Sequence, residues 1–112
     1  MILENTGLKG IKAEFRFLEA AMEKEGFVRG QWEYKRATYD YKITDGEDTY
    51  YLRINTRAVE GKLENPFAVL TLEDAYIGKT SFPHGLDYSS PIPGQVLDSA
   101  QRKINDLKKR LA

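Results

Sequence analysis

His84, the one histidine of the chain, sits in the run Phe82-Pro83-His84-Gly85-Leu86-Asp87-Tyr88. An imidazole in a loop close to a carboxylate and a phenol has the parts for general acid or base chemistry. The simpler reading is a turn, with Pro83 and Gly85 at the positions a type I turn favours. With no cysteine and no second histidine, His84 lacks the companions of the usual zinc sites. The tyrosines offer a different chemistry, because a phenol joins a stacking face to a polar tip. Tyr39, His84, Asp87 and Tyr88 are therefore the candidate ligand-binding residues, in a pocket between a sheet and the loop that carries His84. Against this stands the ordinary use of tyrosine in cross-strand packing.

Charge patterning supplies two further candidates. Asp40 with Arg53 or Arg57 has the makings of a polar binding surface, or of cross-strand ion pairs that contribute little. Arg102, Lys103, Lys108, Lys109 and Arg110 near the carboxyl terminus invite a nucleic-acid reading, but Asp98 and Asp106 interrupt them and no recognition motif accompanies them. Seventeen basic and seventeen acidic residues cancel, so no global field draws the chain to a polyanion or an anionic membrane. The sequence contains no catalytic or cofactor signature. We expect no cofactor, no metal and no membrane partner, and count enzymatic activity less favoured than binding. The absence of cysteine suits a reducing cytoplasm, where we expect the protein to reside. The opening Met-Ile-Leu-Glu is not the start of a secretory signal, and the longest apolar run is Phe67 to Leu70.

The elements that position these residues follow from periodicity. Leu8, Ile11, Phe15, Leu18 and Met22 recur at helical spacing and predict a first helix over about 10–25. Gly26 is placed for a left-handed cap, with Phe27 reaching back to Met22. Phe17 falls off that stripe, beside Ala13, Ala20 and Ala21, and asks for a second covering surface. Strand patterns follow at about 27–34, 37–44, 48–59 and 67–76, with Asp45-Gly46 as a hairpin signal. A loose joint over 60–66 is expected before the last strand. Ala37, Tyr39, Tyr41, Ile43, Tyr50, Leu52, Ile54, Ala68, Leu70 and Leu72 should share the core face, joined by Val28 and Trp32. Arg29, Asp40, Tyr51, Arg53, Arg57, Phe67 and Val69 should lie on the other. A loop over 77–92 leads to a helix over about 93–111, opened by Pro91 or Pro93, with Val96, Leu97, Ala100, Ile104, Leu107 and Leu111 buried. The fold class is α+β: one domain over 1–112, a two-layer arrangement of a four-stranded antiparallel meander with an N-terminal and a C-terminal helix packed on one face. Such a sheet leaves one face uncovered, and a second copy is the commonest cover. Phe17, Tyr51, Arg53, Arg57, Phe67 and Val69 are the candidate interface residues of a homodimer.

Thr38-Tyr39-Asp40-Tyr41-Lys42, Tyr50-Tyr51-Leu52-Arg53 and the 82–88 loop, with Glu4-Asn5-Thr6-Gly7-Leu8 and Gln31-Trp32, resemble the YugN-like family of small bacterial proteins from Bacillus and its relatives. The resemblance runs along nearly the whole chain. It implies a soluble cytoplasmic α+β domain with no known cofactor, and it carries no catalytic or binding residue onto these positions.

Overall fold

A computed structural model describes residues 1–81 and 85–112. Its elements are β1 (Ile2–Leu3), β2 (Lys12–Glu14), α1 (Phe15–Lys24), β3 (Val28–Trp32), β4 (Arg36–Asp45), β5 (Asp48–Glu60), β6 (Val69–Thr80), β7 (Leu86–Asp87) and α2 (Gly94–Leu111). The fold is α+β, two helices and an antiparallel sheet. Strands β3, β4, β5 and β6 run as the expected meander, but the sheet described has seven strands, not four. Three short ones, β1, β2 and β7, pair in turn with the far edge of β6. A bare edge on so long a strand would leave a row of unpaired backbone groups, and these segments satisfy it.

That edge pairing corrects the first helix. Its predicted opening turn is extended chain: Gly7 and Gly10 take positive φ, and Lys12–Glu14 pairs with β6. Leu8 and Ile11 match the helical spacing, yet Leu8 reaches the core from a turn, and Ile11 packs beside it. Helix α1 starts where the amides of Phe15 and Arg16 donate to the carbonyls of Ala68 and Pro66, at 2.7 and 3.1 Å. Its end is as expected. Gly26 is left-handed, its amide donates to Glu23, and the Phe27 amide donates to Met22 O at 2.9 Å, which is a Schellman closure.

The hairpin between β4 and β5 turns on Gly46-Glu47, since Asp45 still pairs with Asp48, one residue later than the Asp-Gly signal places it. The 60–66 joint is held rather than loose: Leu63 is buried and its amide donates to Tyr34 O. The 77–92 stretch is partly strand, because β6 continues to Thr80 and β7 pairs with its end. Pro93 caps α2 by accepting from the amides of Val96 and Leu97.

The core lies between the helices and one sheet face, built from Ala37, Tyr39, Ile43, Tyr50, Leu52, Ile54, Ala68, Leu70 and Leu72 with Leu18, Met22, Val96, Ala100, Ile104 and Leu107. Tyr41 is partly buried beside them. A register shift opposite Glu73 and Asp74 changes the parity of β6, so Ala75 and Ile77 join the core after Leu72. Val28 and Trp32, expected inside, are exposed. Val28 pairs with Asp40 and so takes the outer face, whereas Arg29 pairs with Tyr39 and turns inward, the reverse of the expectation. The strand begins one residue out of the assumed phase, and a bulge between Arg29 and Trp32 resets it.

Candidate functional site

The helix-free face of the sheet centres on Arg53. Asp40 and Arg53 are register partners on β4 and β5 and therefore point the same way. Arg53 Nε and Nη2 donate to Asp40 Oδ1 and Oδ2 at 2.8 and 2.9 Å, a fork that fixes the guanidinium plane. Its Nη1 donates to the hydroxyl of Tyr88 at 3.0 Å. The Asp40 carboxylate holds the Arg53 pKa above its ordinary value, and Tyr88 adds to the effect.

Tyr88 reaches this position by lying on Gly78. A Cβ at residue 78 would stand 3.0 Å from Leu86 Cβ and 3.1 Å from the Tyr88 ring, so the absence of a side chain is what lets β7 and Tyr88 close on the sheet. The Tyr88 ring meets Tyr76 edge-on, with centroids 5.7 Å apart and planes at 81°. Tyr76 in turn accepts from Asn55 Nδ2. Burial raises the Tyr76 pKa, with further contributions from Asp74 and Tyr88, and keeps the phenol protonated. The backbone nitrogen of Met1 donates to the carbonyls of Ile77 and Tyr88 at 2.9 and 2.8 Å, bringing Met1 and Ile2 to the same place. A concavity of about 440 Å³ results, with Ile2, Arg53, Asn55, Tyr76 and Tyr88 among its walls. A second, of about 410 Å³, lies across Arg53 and is bordered by Asp40, Tyr51, Ser81 and Leu86.

The four residues expected to share a pocket do not all meet. Tyr39 is buried on the helix side of the sheet, where its hydroxyl donates to Glu19 Oε1 at 2.8 Å. Burial, with Glu19 close by, pushes its pKa up and holds it neutral. Tyr88 lies on the opposite face, beside Arg53. Asp87 is spent locally: the Ser89 amide and the Ser89 and Ser90 hydroxyls donate to its carboxylate. Those hydrogen bonds, Ser90's first, pull its pKa down to about 2, which suits an ionised turn residue and not a proton donor. His84 lies outside the described residues.

The interface candidates divide into two surfaces. Tyr51, Arg53, Arg57 and Val69 share the open sheet face by register, and Arg57 donates to Glu73 at 3.3 Å. Phe67 precedes β6 and does not belong to that face as expected. It joins Phe17, both exposed, with the Arg16 guanidinium 4.5 Å from one ring centroid and 4.8 Å from the other. Phe17 also borders a groove of about 530 Å³ with Ala13, Ala20, Ala21 and Leu111. The basic helix is partly neutralised, since Lys103 and Arg110 both donate to the buried Glu25. Among the described residues no three His, Cys, Asp or Glu side chains gather to hold a metal ion, and no helix is long and apolar enough to cross a membrane.

Residues 4–108 match the model of the YugN-like family. This chain belongs to the YugN-like family. Within it, the uncharacterized protein YlbA of Bacillus subtilis (strain 168) is 40% identical over 95% of this chain and 91% of its own length. The uncharacterized protein YugN of the same organism is 34% identical over 62% of this chain and 53% of its own. The crystal structure of the uncharacterized conserved protein YugN from Geobacillus kaustophilus HTA426 superposes with a TM-score of 0.86 at 36% identity, covering 99% of this chain and 94% of that one. The YugN-like fold is thus common to this chain and a solved relative, and the Arg53 face is a surface of that fold.

Sequence reasoning missed Ile2, Asn55, Tyr76 and Gly78 as members of this site. Tyr76 carried a signal only in combination with the β6 register shift, which restores outward phase opposite Arg53. Ile2 carried none, because it arrives through pairing with a strand more than seventy residues away.

Proposed function

We propose that the chain is a non-enzymatic binding domain of the cytoplasm whose working surface is the open sheet face, and that two copies meet through it. The observation that carries this reading is the gathering of exposed apolar side chains, Ile2, Val28 and Tyr88, around the fixed Asp40–Arg53 pair on the face that has no helix. Apolar surface of that kind on a sheet is stabilised by being covered. The charges of this face are paired within the chain, Arg53 with Asp40 and Arg57 with Glu73, so a second copy meets no uncompensated charge there. Edge-to-edge addition is the weaker route. β6 is already paired along its far edge, and β3 is bulged.

Analytical ultracentrifugation across a concentration series tests this. A dimer that Val28→Lys and Ile2→Lys convert to monomer supports the reading; a wild-type monomer at high concentration removes it. The rival reading is a small-molecule sensor or enzyme with a pocket under the His84 loop, and the concavity beside Tyr88 is the observation in its favour. Nucleic-acid binding is third, and failure to be retained by a polyanion column at low salt dismisses it.

A further inference from the structure

The concavity beside Arg53 has an excess of hydrogen-bond donors. Three guanidinium N–H groups of Arg53 are spent on Asp40 and Tyr88, and the rest have no acceptor among the described residues. The Tyr88 hydroxyl accepts from Arg53, and the Tyr76 hydroxyl accepts from Asn55, so each phenol keeps its own proton to give. Asn55 Nδ2 has a second hydrogen beyond the one used on Tyr76. Converging donors that the protein does not satisfy are matched by oxygen acceptors on a ligand. The remaining walls are Met1, Ile2, the two tyrosine rings and Thr38, whose hydroxyl is spent on Gln31 O. The volume of about 440 Å³ is in the range of small-molecule sites.

We propose that this concavity binds a small planar aromatic molecule with an oxygen-acceptor edge, a carboxamide or carboxylate, that takes hydrogen bonds from Arg53, Tyr76 and Tyr88 and lays its ring against Ile2 and the Tyr88 ring. The proposal rests on the open face as the working surface and gives that face a ligand class. Asp40 has a positioning role: its fork takes Nε and one N–H of Nη2 and fixes the guanidinium plane, leaving one N–H on each Nη nitrogen for the ligand. Tyr88 is both wall and donor, and Gly78 is the space that admits it.

Three probes of one shape separate the chemistry: 2-naphthamide and 2-naphthoate carry acceptor oxygens, and 2-naphthamidine carries only donors. Each is titrated into isotope-labelled full-length chain while the backbone amide of Gly78 and the side-chain signals of Asn55 and Arg53 are followed by NMR. Saturable shifts with the amide or the carboxylate, and none with the amidine, are expected, and the stronger of the two decides whether the natural ligand is neutral or anionic. Tyr88→Phe and Tyr76→Phe each keep a ring in place and remove one hydroxyl, so each should weaken the better probe about fivefold, the value of one hydrogen bond. Absence of saturable shifts with both oxygen-bearing probes, equal binding of the amidine, or unchanged affinity in the doubly substituted Tyr76→Phe/Tyr88→Phe chain overturns the proposal. Sedimentation on the same samples, with the titration repeated on Val28→Lys chain whose face is uncovered, keeps the outcomes distinct: a wild-type dimer with no probe binding to Val28→Lys removes the ligand site alone, and probe binding by a wild-type chain that is monomeric at every concentration removes self-association alone.

Discussion

Single residues decide how the open face is built. Gly78 is the clearest, because its neighbours leave no room for a methyl group. Gly78→Ala should cost about 1–3 kcal/mol in urea unfolding, the usual penalty of overpacking, and should release the Tyr88 ring, seen as loss of its NMR contacts with Tyr76. A variant as stable as wild type, with Tyr88 still seated, would contradict the geometry. Asp87 permits a pH test with a definite sign. Its pKa is depressed to about 2 by its serine partners, so the turn they form holds above that value and is lost as pH falls through it. A Ser89 amide titration with its midpoint near the ordinary Asp value of about 3.9 would show that the carboxylate is not held. Residue identity alone told part of this. Asp40, Arg53 and Tyr88 were recognisable from side-chain type; the same criterion grouped Tyr39 with Tyr88, although alternation already put it on the core face, where its hydroxyl donates to Glu19. Arg29 was assigned outward by alternation, yet it lies inward, its guanidinium 5.2 Å from the Phe15 ring centroid and 5.0 Å from that of Trp32. These aromatic faces flank its buried Nη1, which has no hydrogen-bond acceptor among the described residues.

At the scale of elements, the two helices are joined by charge as well as by packing. Glu25 at the end of α1 is buried and accepts from Lys103 and Arg110 of α2, and the Lys103 ammonium also sits 4.6 Å from the Tyr41 ring centroid. The Arg110 hydrogen bond, followed by Lys103, draws the Glu25 pKa below its ordinary value against the opposing effect of burial. Glu25→Gln should therefore destabilise the fold by about 1–2 kcal/mol at neutral pH, between the value of an exposed pair and that of a fully buried one. Because the folded-state pKa is depressed, this contribution is present above the ordinary carboxylate range and is lost as pH falls through the folded value. Urea midpoints of wild type and Glu25→Gln should converge in acid. A difference independent of pH would mean that packing, not ionisation, makes the contact. Elements were legible where one local rule governed them. The Schellman end of α1, the α2 stripe and the four long strands all follow from spacing and glycine placement. The start of α1 did not, because Leu8 and Ile11 keep helical phase while Gly7 and Gly10 leave it, and the reason is a strand partner far along the chain. The three short strands on β6 were illegible for the same cause: two or three residues carry no period of their own.

The whole molecule is a one-sided sandwich, with the core sealed by two helices and the opposite face left to solvent. Its α+β class and meander were readable from the sequence because hairpins and alternation are local. The composition of the open face was not, because it depends on the β6 register shift, on the bulge in β3 and on the distant pairing that brings Ile2 beside Tyr76. Phe17 and Phe67 form a separate exposed surface around Arg16, so substituting them with glutamate should leave self-association through the sheet unchanged within about twofold. Loss of the dimer in Phe17→Glu would transfer the interface to α1.

The most direct measurement is sedimentation equilibrium of wild-type protein beside Val28→Lys, a substitution at a side chain that is 68% exposed and therefore tolerated by the fold. The open-face account predicts a wild-type dimer and a folded, monomeric variant. A wild-type monomer at every concentration, or a variant that dimerises as well as wild type, would contradict it.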